Sequence, residues 1–257
     1  MTTCTLAANF VDNHFLSFSK DLYQYKAYDK LERGLTEAMR KAYNIPDVFS
    51  PKNGGIGAGM TSVGNSSMFS VQAAKIKKLS TFGEEVRQDM RNKLVAYFSD
   101  VSHGHAIKSI LMHGINHHRE IKTVFDKNQE NYAFDTAKLA EHIEEDIKNG
   151  LVPFFVMGVT GSTAVGGTDD LKILGEICQK HKIFFFVDAA WGGNFTILDE
   201  HKHIIDGVEY ADAYATNPSK FIGTSKESCI LYMKDKRDFE NAFYFDKNEE
   251  KDDFCVS

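Results

Sequence analysis

Residues 183–187, IFFFV, are five apolar residues in a row that run straight into Asp188 and then AAWGG. A strand with one face in water alternates apolar and polar positions. An unbroken short apolar run belongs instead to a strand covered on both faces, the situation of a parallel sheet between helices. Residues 151–159, LVPFFVMGV, form a second such run. Shorter strands are expected over 93–99, 211–216 and 228–234.

Helical signals fall between these runs. A helix is expected over residues 28–43, broken near Pro46, and another through Met68, Val71 and Ala74 after the glycine-rich NGGIGAGMTSVGNSS. Residues 106–113 read as a helix too. Asp135 is placed to cap a helix carrying Leu139, Ile143 and Ile147, with Gly150 as its stop. Thr168 is placed to cap the next, with Asp169 and Asp170 in its first turn and Lys180, His181 and Lys182 at its end, as the helix dipole prefers. Leu171, Leu174 and Cys178 would be its inner face. Strands alternating with helices predict an α/β layer on a mainly parallel sheet, where ligands bind beyond the carboxyl ends of the strands. Asp188 stands at such an end.

Charge and cysteine usage narrow the function. The net charge of -6 over 257 residues argues against nucleic acid as a partner. The first twenty residues carry no Lys or Arg before Lys20, unlike a secretory leader, and no apolar run has the length of a membrane span. Cys4, Cys178, Cys229 and Cys255 are scattered without metal-ligand spacing, which fits a reduced, cytoplasmic setting. His103, His105, His113, His117 and His118 lack an accompanying HExxH or carboxylate framework, so packed or solvated histidines are expected, apart from His103. GGIGAG breaks the GxGxxG pattern, and no strand is evident before it.

A carboxylate at the end of so apolar a run either sits at the strand's mouth in water or answers a fixed positive charge. Lys220, in ATNPSKFIG, emerges where another short strand stops, 32 positions after Asp188. A lysine that bonds covalently to pyridoxal phosphate works with a carboxylate that keeps the pyridine nitrogen protonated. VDAAWGG followed by NPSK resembles the group II pyridoxal-phosphate-dependent amino acid decarboxylases, the family of the glutamate, cysteine sulfinate, aromatic amino acid and histidine enzymes. The resemblance covers residues 28–235.

The resemblance implies the large domain of fold-type-I pyridoxal phosphate enzymes, with residues 1–27 an N-terminal arm and 236–257 a solvated tail. It implies pyridoxal 5'-phosphate as cofactor, with Lys220, Asp188 and His103 as catalytic residues. Ala190 and His103 would pack on opposite faces of the ring. Ser62, Gly64 and Asn217 would hold the phosphate, and Thr160 and Ser162 would border the ring. No metal is expected. The implied function is decarboxylation of an amino acid by a homodimer; the AAWGG wording points to glutamate or a related acidic substrate. Ser219 stands where the family carries histidine. The family's small C-terminal domain and catalytic loop have no counterpart in the chain, so a catalytically inactive protein that keeps the fold, and perhaps the cofactor, is the alternative expectation.

Overall fold

The structure is a computed structural model that describes residues 22–127, 129–224 and 228–243. Cys4, Cys255 and the end of the expected tail lie outside these. In chain order the elements are α1 (Leu22–Ala42), β1 (Ile56–Met60), α2 (Val63–Leu79), α3 (Glu84–Asn92), β2 (Leu94–Ser99) and α4 (His105–Met112). β3 (His117–Ile121), β4 (Thr123–Asp126), β5 (Asn131–Phe134), α5 (Thr136–Lys148) and β6 (Val152–Val159) follow. The chain continues through α6 (Leu171–His181), β7 (Phe184–Asp188), β8 (Ala213–Thr216), β9 (Cys229–Met233) and α7 (Lys236–Phe243).

Seven strands make one sheet in the order β1-β9-β8-β7-β6-β2-β3. The β8, β7, β6, β2 and β3 neighbours pair in parallel, whereas β9 and β1 are added antiparallel at one edge. β4 and β5 form a separate antiparallel hairpin. The fold is therefore the mainly parallel α/β sheet expected. The apolar runs are central: every residue of β7 is buried, and its side chains divide between two cores. Phe184 and Phe186 join the core with Val71, Ala74 and Ile110 from α2 and α4, while Phe185 and Val187 join Leu139, Ile143, Leu171 and Leu174 from α5 and α6. This two-sided burial is why the run lacks polar alternation.

Several boundaries differ from the sequence reading. Helix α1 starts at Leu22, inside the expected arm of residues 1–27. The expected tail of 236–257 begins with α7, whose Phe239 and Ala242 pack into the α2 side of the core. The glycine-rich IGAGM is itself strand β1: it pairs along its length with β9 and needs little side-chain burial of its own. On α5 the inner positions are Leu139, Ile143 and Asp146, and Ile147 is turned outward. Asp146 is tolerated there because Tyr97 donates its hydroxyl to Oδ2 at 2.9 Å and Arg119 pairs with Oδ1. Helix α6 is capped by Asp170, whose Oδ1 accepts the Ile173 N–H at 2.9 Å, not by Thr168. Asp169 lies outside that helix and is buried. Its carboxylate accepts the backbone N–H groups of Phe134 (2.8 Å) and Val159 (2.7 Å), tying β5 to the end of β6.

Candidate active site

Four segments that carry expected site residues follow the carboxyl ends of parallel strands. His103 and His105 follow β2, the 160–168 loop follows β6, Asp188 ends β7, and Asn217 and Lys220 follow β8. The fifth is the amino end of α2, beside the edge of the sheet. They enclose a cavity of about 310 Å³, lined among others by Ser62, Gly64, His103, Asp188, Asn217 and Lys220, with Ala190 and Trp191 completing the wall. Residues far apart in the chain thus share one space at the end of the sheet where ligands bind.

Asp188 is the most constrained of them. Its side chain is 6% exposed, and Oδ1 accepts the Ala190 N–H at 3.0 Å. Oδ2 is 2.8 Å from His105 Nε2. Burial pushes the carboxyl up, but the hydrogen bond and charge of His105, the Ala190 N–H and the Lys220 ammonium outweigh it, holding the carboxyl below its ordinary value. The site therefore presents a fixed anion, as a pyridinium requires.

Lys220 ends the short turn Pro218–Lys220, where its N–H donates to the Asn217 carbonyl at 3.0 Å. Proline at the first position of that turn sets the backbone that brings the lysine back over the strand end. Ser219 donates its hydroxyl to the Ser228 carbonyl at 3.2 Å. The Asn217 amide oxygen is buried at the cavity without a partner among the described residues; turning the amide over would present its N–H₂ to the same space.

The amino end of α2 is built for an anion. Ser62 caps it, with Oγ accepting the Asn65 N–H at 3.2 Å, and a helix's first N–H groups have no partner within the helix. A Cβ on Gly64 would make only ordinary contacts, 3.5 Å to Ser62 Oγ and 3.6 Å to His105 Cβ, so packing does not fill the space beside it. The residues present thus fit pyridoxal phosphate: an amine, a buried carboxylate and a helix-end anion cradle around one cavity.

The 160–168 loop lines the cavity with Gly161 and Thr163, and Thr160 and Ser162 of the same loop are buried. The loop turns at Gly161, at φ +71°, and lies so close to the AAWGG turn that a Cβ on Gly192 would collide with the Thr160 carbonyl. His105 is neither solvated nor merely packed but bonded to Asp188. Its only trace in the sequence is its spacing of two from His103, and a side chain's distant partner leaves no local pattern.

The chain matches the family model of the pyridoxal-dependent decarboxylase conserved domain over residues 5–252. It is 30% identical over 226 residues to the aromatic-L-amino-acid decarboxylase of Cavia porcellus, a match covering 86% of this chain and 46% of that protein. It is 31% identical over 208 residues to the 4-hydroxyphenylacetaldehyde synthase of Rhodiola rosea, covering 81% of this chain and 41% of that one. A crystal structure of the Rhodiola rosea enzyme superposes with a TM-score of 0.86 at 27% identity, over 94% of this chain and 50% of its own. Tryptophan decarboxylase from Catharanthus roseus shares the fold, with a TM-score of 0.87 at 24% identity. The chain spans about half the length of the relatives it matches. With the family model matched over nearly all its residues, the chain belongs to the pyridoxal-dependent decarboxylase family.

Proposed function

We propose that this chain binds pyridoxal phosphate in the cavity and takes part in the α-decarboxylation of an amino acid. The observation that carries this reading is the meeting of Asp188 and Lys220 on one cavity beyond the strand ends. Bound pyridoxal phosphate supplies an electron sink for the pair released when a bond to Cα breaks.

The chain's residues divide the remaining work. Lys220 holds the aldehyde end through Nζ and, when released, can carry a proton there. Asp188 keeps the proton on the ring nitrogen by staying ionised. His103 and Ala190 bracket the ring. Burial and the neighbouring His105 hold the His103 imidazole below its ordinary value, which favours the neutral ring that stacks without adding a second cation. Ser62, Gly64 and Asn217 receive the phosphate. In this reading Thr160 and Ser162 support the loop from behind.

For the substrate side chain we favour an aromatic group over the acidic one that AAWGG implied. The relatives named above include an aromatic amino acid decarboxylase, and the cavity wall carries Val101 and Trp191. We also propose a homodimer: Trp191, Phe221 and Ile222 form a partly exposed apolar rim that a second copy would cover. A cytoplasmic setting is part of the same reading, and no helix among the described residues is long and apolar enough to cross a membrane.

The test is carbon dioxide release from a panel of aromatic, acidic and small amino acids by cofactor-loaded protein, with its mass followed by light scattering. Release from aromatic substrates by a dimer is expected. Cofactor binding without release on any substrate would overturn the activity, release confined to glutamate the substrate class, and monomer alone the assembly.

A further inference from the structure

His105 contributes to the site in a way that no motif assigns. Its side chain is 13% exposed, and Nε2 lies 2.8 Å from Asp188 Oδ2. Nδ1 is buried with no hydrogen-bond partner among the described residues. Because an ionised carboxylate only accepts, the bond requires the proton to sit on Nε2. His105 opens helix α4, so the backbone fixes where its ring can reach. Its own N–H donates to His103 Nδ1 at 3.3 Å, and the two rings lie 5.1 Å apart.

Asp188 thus has a donor on each oxygen: the Ala190 N–H on Oδ1 and His105 on Oδ2. Two donors from different elements fix both the plane and the rotation of a carboxylate. Each carboxylate oxygen has a second lone-pair site, so the bond from His105 leaves room for a ring N–H. We propose that His105 is a positioning residue, aiming Asp188 at the ring nitrogen and keeping it ionised before the cofactor arrives.

The inference rests on reading Asp188 as the ring-nitrogen partner. Other groups that act on Asp188 are His103 from the same loop, Lys220 after β8, Tyr214 from β8 and Cys229 from β9. Of these, Lys220 alone adds a fixed cation, and it is committed to the cofactor's other end. His105, together with the Ala190 N–H, therefore holds the carboxyl down on its own side, against the upward pull of burial. Without it, the carboxyl should take its proton at higher pH, and the acid limb of cofactor affinity should move up with it.

Trp191 is the single tryptophan and lines the cavity, so its fluorescence reports cofactor binding directly. Pyridoxal phosphate would be titrated across a pH series into the wild type, His105→Ala, His105→Gln and Asp188→Ala, with folding checked by circular dichroism. A hydrogen bond to a charged group contributes about 1.5–3 kcal/mol, so His105→Ala should bind roughly ten- to a hundredfold more weakly. Its acid limb should rise by about one pH unit. Gln places an N–H₂ near the position of Nε2 and should recover most of the affinity. His105→Ala with wild-type affinity and an unmoved acid limb, beside an impaired Asp188→Ala, overturns the inference alone. Wild-type affinity in Asp188→Ala overturns the reading beneath it as well.

Discussion

Replacing Asp188 by alanine is expected to weaken pyridoxal phosphate binding by roughly a hundred- to a few-thousandfold. The carboxylate is buried, accepts the Ala190 N–H and pairs with His105, so its removal leaves those donors and the ring's charge without an anion. Removing one partner of a buried ion pair costs about 3–5 kcal/mol, and each 1.4 kcal/mol is a factor of ten in affinity. The loss should appear in equilibrium titration, with any remaining turnover falling alongside it. An Asp188→Ala protein that keeps wild-type affinity would remove Asp188 from the site. Asp188→Asn is the sharper variant, since it keeps the volume and one acceptor but not the charge, and it too should bind weakly.

The second large effect concerns stability and involves Asp169, which has no place in the cavity. It is buried with two backbone N–H donors, yet burial dominates and pushes its carboxyl from 3.8 up to about 6. The folded state then binds the proton more tightly than the unfolded chain does. Its contribution is fully present below the unfolded value and is lost as pH rises through about 6. Relative to Asp169→Asn, the wild type should therefore gain about 2 kcal/mol between pH 7.5 and 4.5, read as a difference in urea unfolding free energies. Groups common to both proteins cancel in that difference. A flat difference, or one of opposite slope, would show that the two N–H donors outweigh burial at this site.

What was legible in the sequence follows from where each signal resides. Residues 183–187 announced a two-sided strand because burial on both faces is written in consecutive residues. Asp188 and Lys220 were legible because an acid after an apolar run and a lysine after a proline turn are local anomalies that call for a partner. The polar edge strand β3, HHREI, carried no such mark, since an edge strand is held by its backbone ladder and leaves side chains partly wet. β1 was hidden for a related reason: IGAGM is rich in glycine and paired only on one side.

Buried polar residues were the hardest to read. Asp146 took the inner position on α5 because Tyr97 and Arg119, far away in sequence, wait there for it. Asp169 was expected in the first turn of α6 but serves β5 and β6 instead. His105 likewise owes its role to Asp188, 83 positions away. In each case the deciding partner lies on another element, and helical or strand periodicity carries no information about it. The 160–168 loop was expected beside the site, and its turn at Gly161 is not marked in the sequence by any local periodicity.

In the proposed site Lys220 and Asp188 hold opposite ends of one cofactor ring. Borohydride reduction of the protein loaded with pyridoxal phosphate, followed by peptide mapping, reads out the lysine end. A stable phosphopyridoxyl adduct is expected on Lys220 and is expected to be absent from Lys220→Ala. An adduct confined to any other lysine, or no adduct despite saturating cofactor, would contradict it.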